Sequence, residues 1–159
     1  MDRNILPPCD VPFLANQTRL ILSSYRHWTG KILWPENKSD DVIVKEVFFA
    51  PFILASAGNE PDPILNYGNQ RALELWGMDW KNFTQTPGRH TAEPEEREQR
   101  ERFLKTVQKQ GYIDDYSGIR ISASGLRFKI ERATVWNLID AKGIYKGQAA
   151  TFTDFINNF

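Results

Sequence analysis

Apolar positions in the first part of the chain recur at helical spacing. Leu14, Leu20, Ile21, Tyr25 and Trp28 fall on one stripe of a helix that begins near Pro12, and Gly30 supplies a residue that tolerates a left-handed stop. Upstream, residues 1 to 11, with Pro7-Pro8-Cys9-Asp10, read as an arm whose prolines resist regular structure. Downstream, Pro35-Glu-Asn-Lys-Ser-Asp-Asp41 is polar and turn-rich, a loop or a hinge. Val42 to Val47 fits helix or strand, whereas Phe52 to Ser56 is apolar and partly branched or aromatic, the pattern of a strand.

After the turn Gly58-Asn-Glu-Pro-Asp-Pro63, Ile64 to Asn66 reads as a second strand, and Asn66 or Asn69 can cap the helix that follows. That helix turns Ala72, Leu73 and Trp76 inward and closes at Gly77, and Asp79 caps one more through Phe83. Thr91-Ala-Glu-Pro94 starts a longer helix running to about Gln110 and ending at Gly111. Its pairs Glu93/Arg97, Glu96/Arg100, Glu98/Arg102 and Glu101/Lys105 stand four apart in the favourable order, and Phe103, Leu104 and Val107 make a narrow apolar stripe. Three long antiparallel strands follow: Ile113 to Ser122, Leu126 to Leu138 and Tyr145 to Phe155, with turns at Ser124-Gly125 and Asp140-Ala-Lys-Gly143. The order predicts an α+β fold, with residues 1–41 as arm, helix and loop and 42–159 as the main domain.

With 159 residues and 41% apolar composition the chain suits one globular core. Lysine plus arginine equals aspartate plus glutamate, 20 against 20, so no net field recruits nucleic acid or anionic lipid, and the alternating signs of Glu93 to Arg102 describe a solvated face. No apolar run reaches the ~20 residues needed to span a bilayer and no secretory leader is recognised, so a cytoplasmic or otherwise intracellular protein is expected. The single cysteine, Cys9, and the two histidines, His27 and His90, cannot assemble a thiolate-rich metal site. A nucleophile elbow, a phosphate loop and a zinc-protease helix motif are all missing, and Asp114 and Asp115 point to opposite faces of a strand.

The segments Pro51-Phe-Ile-Leu-Ala-Ser, Asp62-Pro-Ile-Leu-Asn-Tyr-Gly-Asn, Leu73-Glu-Leu-Trp, Asp114-Asp-Tyr-Ser-Gly-Ile-Arg, Thr134-Val-Trp-Asn-Leu and Gly147-Gln-Ala-Ala-Thr-Phe resemble the MEKHLA domain family. That resemblance implies a PAS-like five-stranded antiparallel sheet with helices on one side, plus the extra N-terminal helix. Plant members carry the domain after a homeodomain, a leucine zipper and a lipid-binding module, none of which is present in this sequence. The resemblance implies a non-catalytic sensory, ligand-binding or protein-interaction module acting through a partner or homodimer contact. Light-sensing PAS relatives carry a flavin-binding cysteine in a Gly-Arg-Asn-Cys stretch. Here the similar stretch is Gly88-Arg-His-Thr91, so no flavin-adduct thiol is available. A loop histidine such as His90 is more often solvated than iron-bound, so haem is not assigned and the cofactor stays unknown.

Strand alternation groups Tyr116, Gly118 and Arg120, then Ile130, Arg132 and Thr134, then Gln148, Ala150 and Phe152. By the resemblance these faces line a pocket, in which Arg120 and Arg132 would hold a carboxylate or phosphate. The alternative is that both arginines pair with Asp114, Asp115 or Glu131 at a sheet rim, and a register slip of one residue would swap every assignment. Phe52, Leu54, Leu73, Trp76, Trp136, Phe103 and Val107 are candidates for the apolar wall, or plain core. The runner-up function is a small enzyme or cofactor carrier using Arg120, Arg132 and His90 on an anionic molecule, and a filled structural module is the third. The helix from Pro12 to Trp28 is the expected interface element.

Overall fold

Asp10 starts the first helix, its carboxylate accepting from the Phe13 amide at 3.2 Å, with Pro12 in the first turn where no donor is lost. This helix, α1 (Val11–Thr29), closes at Gly30, whose φ of 71° is the left-handed stop that glycine permits. The structure, a computed structural model, describes residues 5–7 and 10–157. Residues 5–7 of the arm carry no regular structure, and Cys9 lies outside the described residues.

The segment that fits helix or strand is a helix, α2 (Asp40–Phe48), because Ile43, Val44, Val47 and Phe48 bury one helical face. The preceding loop therefore ends at Ser39, and Asp40 and Asp41 occupy the helix's first turn. Strands β1 (Ile53–Ala57) and β2 (Leu65–Gly68) form an antiparallel pair that leads into α3 (Gln70–Trp76), then α4 (Trp80–Phe83). Asn69, and not Asn66, caps α3. Its Oδ1 accepts from the amides of Ala72 and Leu54, both at 3.1 Å, and its Nδ2 donates to the Phe52 carbonyl at 2.8 Å. One fully buried amide thus joins β1 to the start of α3.

A 3-10 turn at Gly88–Thr91 precedes α5 (Pro94–Gln110), and strands β3 (Tyr112–Ile121), β4 (Arg127–Ile139) and β5 (Tyr145–Phe152) follow. The expected third strand breaks at Thr153, and β6 (Asp154–Asn157) continues in line with β5 along the same edge of β4. The sheet therefore has six antiparallel strands, ordered β2-β1-β5-β4-β3 with β6 on β4, where five were expected.

Helix α1 lies on one face of this sheet and α3 to α5 on the other. Trp136 of β4 is fully buried beneath α1, its indole donating to the Ile21 carbonyl at 3.2 Å and its ring meeting Tyr25 edge-on at 5.0 Å. Trp28 donates to the Asn137 carbonyl at 2.9 Å, and the Gln17 amide reaches Ser56 of β1 at 3.0 Å. The apolar stripe of α1, with Leu14, Ile21 and Leu22, is therefore packed inside the fold. Each such side chain contributes ~2 kcal/mol by leaving water. This corrects the expectation of an exposed interface stripe.

Candidate functional site

The inner face of the sheet is built from unusually small side chains where α5 crosses it. Ala55 and Ala57 of β1 stand beside Ala150 and Gln148 of β5, and Val135 of β4 stands opposite Ala150. Gly118 occupies the corresponding place on β3, where a Cβ would collide with the Tyr116 hydroxyl. Because the alanines and Gly118 do not reach the helices, a cavity of about 110 Å³ is left between the sheet, Trp76, Phe83 and α5. Its wall is mainly apolar, with Trp76 packed edge-on against Phe128 (5.4 Å) and Phe152 (6.3 Å).

A second, polar cleft of about 460 Å³ lies outside it, bordered by Glu60, Asp62, Arg89, Arg97, Glu101 and Lys105. Pro63, Arg100, Leu104, Tyr145 and Gln148 line both spaces and so form the neck between them. Gln148 donates to the Leu104 carbonyl at 2.9 Å and Asn137 to the Gln108 carbonyl at 3.0 Å, which pins α5 to the sheet beside this neck.

Two cations face the inner cavity. Arg120 is 8% exposed, and its guanidinium donates to the Ile119 carbonyl at 2.8 Å and to the Tyr116 hydroxyl at 3.2 Å. The Tyr116 ring lies 5.7 Å below it and stacks on Phe103 of α5 at 3.7 Å. Arg100 extends from α5 across Gly88, where a Cβ would stand only 2.7 Å from its Nη2. Burial, followed by the nearby positive charge of Arg120, pushes the Arg100 pKa down to about 10.

Of the residues expected in the pocket, Trp76, Phe103, Tyr116, Arg120, Ile130, Gln148 and Phe152 line the cavity. Leu54, Leu73 and Val107 are buried elsewhere in the core, and Phe52 packs edge-on against Trp34 at 5.9 Å. His90 is exposed, with Nε2 2.7 Å from the Arg89 guanidinium. Arg132 corrects the expected register: its side chain is 70% exposed and donates to Asp154 at 2.8 Å. A bulge at Arg132 shifts the alternation, so Ala133 and Val135 line the cavity and Thr134 takes the opposite face. Trp136 belongs to the α1 side.

The sequence reading missed Arg100 because it assigned that residue to a solvated pair with Glu96. The pairs Glu98/Arg102 (3.1 Å) and Glu101/Lys105 (3.3 Å) do form, whereas Glu93 pairs with Arg127 and Arg97 donates to the carbonyls of Arg89 and Ala92. The signal was present all the same. Arg100, Phe103, Leu104 and Val107 are spaced i, i+3, i+4 and i+7, so the apolar stripe of α5 carries Arg100 inward. Among the described residues, no group of three or more His, Cys, Asp or Glu side chains could hold a metal ion, and no helix is long and apolar enough to cross a membrane.

A family model described as the MEKHLA domain matches residues 15–157. Among solved structures, the chain is similar to a PAS domain from a Colwellia psychrerythraea protein, at 12% identity and a TM-score of 0.62 over 74% of this chain and 95% of that one. It is also similar to a light-oxygen-voltage domain studied with a flavin analogue, at 16% identity and a TM-score of 0.58 over 74% of this chain and 85% of that one. An RNA-binding light-oxygen-voltage receptor aligns at 16% identity and a TM-score of 0.60, over 77% of this chain and 34% of that one. At these identities the likeness shows a shared PAS-like fold alone. No curated protein matches the chain.

Proposed function

The chain belongs to the MEKHLA domain family, and from that membership and its PAS-like fold we propose that it is a sensory module binding a small molecule between α5 and the inner face of the sheet. The observation that carries this reading is a mainly apolar cavity beside a polar cleft, the two sharing Arg100, Leu104, Tyr145 and Gln148 in their walls. A ligand entering there would touch α5, the element that Gln148 and Asn137 tie to the sheet, so occupancy can alter how α5 sits. A protein partner or second copy would read that change on surfaces other than the buried stripe of α1.

The reading is of a binding module rather than an enzyme. General acid–base chemistry needs a titratable side chain within reach of the substrate. Among the described residues no histidine or carboxylate lines the inner cavity; of its two tyrosines, Tyr116 accepts from Arg120 at 3.2 Å and burial raises the Tyr145 pKa, and the Thr91 hydroxyl donates to the Gly88 carbonyl at 2.7 Å. Native mass spectrometry and an absorption spectrum of freshly purified protein test the proposal. A small molecule held in stoichiometric amount supports it. Protein that is reproducibly empty, and that takes up no member of a broad mixture of small neutral and charged compounds, overturns it.

A further inference from the structure

The two arginines of the cavity are not balanced by acids. Neither Arg100 nor Arg120 forms an ion pair among the described residues, and Asp62, the acid nearest in effect to Arg100, is held by Arg89 at 3.0 Å. They also raise one another's energy, since each is a positive charge close to the other in a poorly solvated space. Hydrogen bonds from Arg120 to a carbonyl and a phenol satisfy part of its fork without neutralising it. A third donor completes the set: Trp76 lines the same cavity, and its buried indole N–H has no partner. Buried donors of this kind call for an acceptor.

The geometry points to an organic monocarboxylate as the ligand class, its head between Arg100 and Arg120 and its apolar body against Trp76, Phe83, Ile130 and Phe152. This rests on the small-molecule reading above and narrows it. A planar carboxylate matches the guanidinium fork and brings the single negative charge that relieves both cations. A free phosphate matches less well. It has no apolar body for the wall described above. A neutral molecule of the same shape would fill the apolar wall and leave the guanidinium pair as it is.

The test is isothermal titration of the full chain at neutral pH with sodium hexanoate, 1-hexanol and inorganic phosphate. Hexanoate is expected to bind at least ten-fold more tightly than hexanol, and phosphate not to compete with it. The Arg100→Gln variant should lose the preference for hexanoate while its affinity for hexanol stays within two-fold, and Arg120→Gln should do the same. Should Arg120→Gln fail to fold, Arg100→Gln and Gly88→Ala, which displaces the Arg100 guanidinium, give the same readout. Hexanol binding as tightly as hexanoate overturns the monocarboxylate class and leaves the cavity reading standing, as does phosphate displacing hexanoate. Absence of binding by hexanoate and hexanol alike overturns the monocarboxylate class, and the cavity reading falls only if the broad compound mixture also fails.

Discussion

Asp115 and Arg132 are the extra residues of two opposed bulges, one on β3 and one on β4, and each has a left-handed backbone, with φ of 57° and 53°. Between the pairs Ile113/Val135 and Tyr116/Ala133 two residues of β3 face one of β4. Between Tyr116/Ala133 and Gly118/Ile130 the imbalance is reversed. The second bulge cancels the first, so the strands return to register while the short stretch between them is displaced by one position. The bulge on β4 sends Arg132 to Asp154 at the surface and brings Ala133 and Val135 to the cavity. Arg120, beyond both bulges, keeps the inward face.

Left-handed backbone costs a non-glycine residue ~1–2 kcal/mol, and most for branched side chains. Arg132→Gly should therefore be more stable than Arg132→Val by about that amount, a difference of several degrees in thermal midpoint for a chain of this size. Both variants remove the exposed pair with Asp154, so their comparison isolates the backbone. Equal midpoints by circular dichroism would mean that the bulge carries no such strain.

Much of the fold was legible because its signals are local. Gly30 and Gly77 stop their helices and Asp79 and Asn69 start theirs with side chains that bond the first free amides, all within a few residues. The bulges at Asp115 and Arg132 were not legible, since two insertions that cancel restore the pairing of β3 with β4, and no glycine or proline marks where the alternation within each strand changes phase. Nor was the break at Thr153, where the apolar pattern runs on from Phe152 to Phe155 while the pairing passes from one stretch of β4 to another. Arg100 was hidden differently: its i, i+4 acid at Glu96 offered a plausible solvated pair, and only the position of α5 over small residues shows that the stripe wins.

The burial of α1 makes that helix part of the core. Loss of residues 1–34 would uncover Trp136 and strip the sheet of Leu14, Ile21 and Leu22, together with the bonds from Gln17 and Trp28. At ~2 kcal/mol for each large apolar side chain, the loss approaches the whole stability of an ordinary domain. The truncated chain should be insoluble or lack a cooperative melt. A sharp thermal transition in the shortened chain would show that α1 is dispensable to the core.

Arg100 makes stability depend on pH in a direction that can be worked out. Its pKa falls on folding from the ordinary arginine value to about 10, so above about pH 10 the unfolded chain binds more protons and stability rises with pH there. Below about pH 10 the full cost of the buried charge is present, on the order of 2 kcal/mol after allowance for solvent at the cavity mouth. Arg100→Met, which keeps an apolar stem and removes the charge, should therefore stabilise the ligand-free protein at pH 7, and its advantage should shrink above pH 10. Denaturant melts of both proteins at pH 7 and 10.5 give the comparison, and a variant less stable than the parent at pH 7 would contradict a desolvated Arg100.

The small residues of the inner face are the reason the cavity exists, so enlarging one should close it without disturbing the pairing of the strands. Ala150 is the best placed, lying between Ala55 of β1 and Val135 of β4 with its side chain toward the space beneath α5. Ala150→Leu adds three carbons where a void already exists, so the overpacking that costs ~1–3 kcal/mol in a filled core should be largely absent. The expected result is a thermal midpoint within a few degrees of the parent and no detectable heat on titration with hexanoate or hexanol. Arg100 and Arg120 are untouched by the substitution, so it separates loss of space from loss of charge. Retained hexanoate binding in a folded Ala150→Leu protein would move the site out of the inner cavity and into the outer cleft around Arg89 and Arg97.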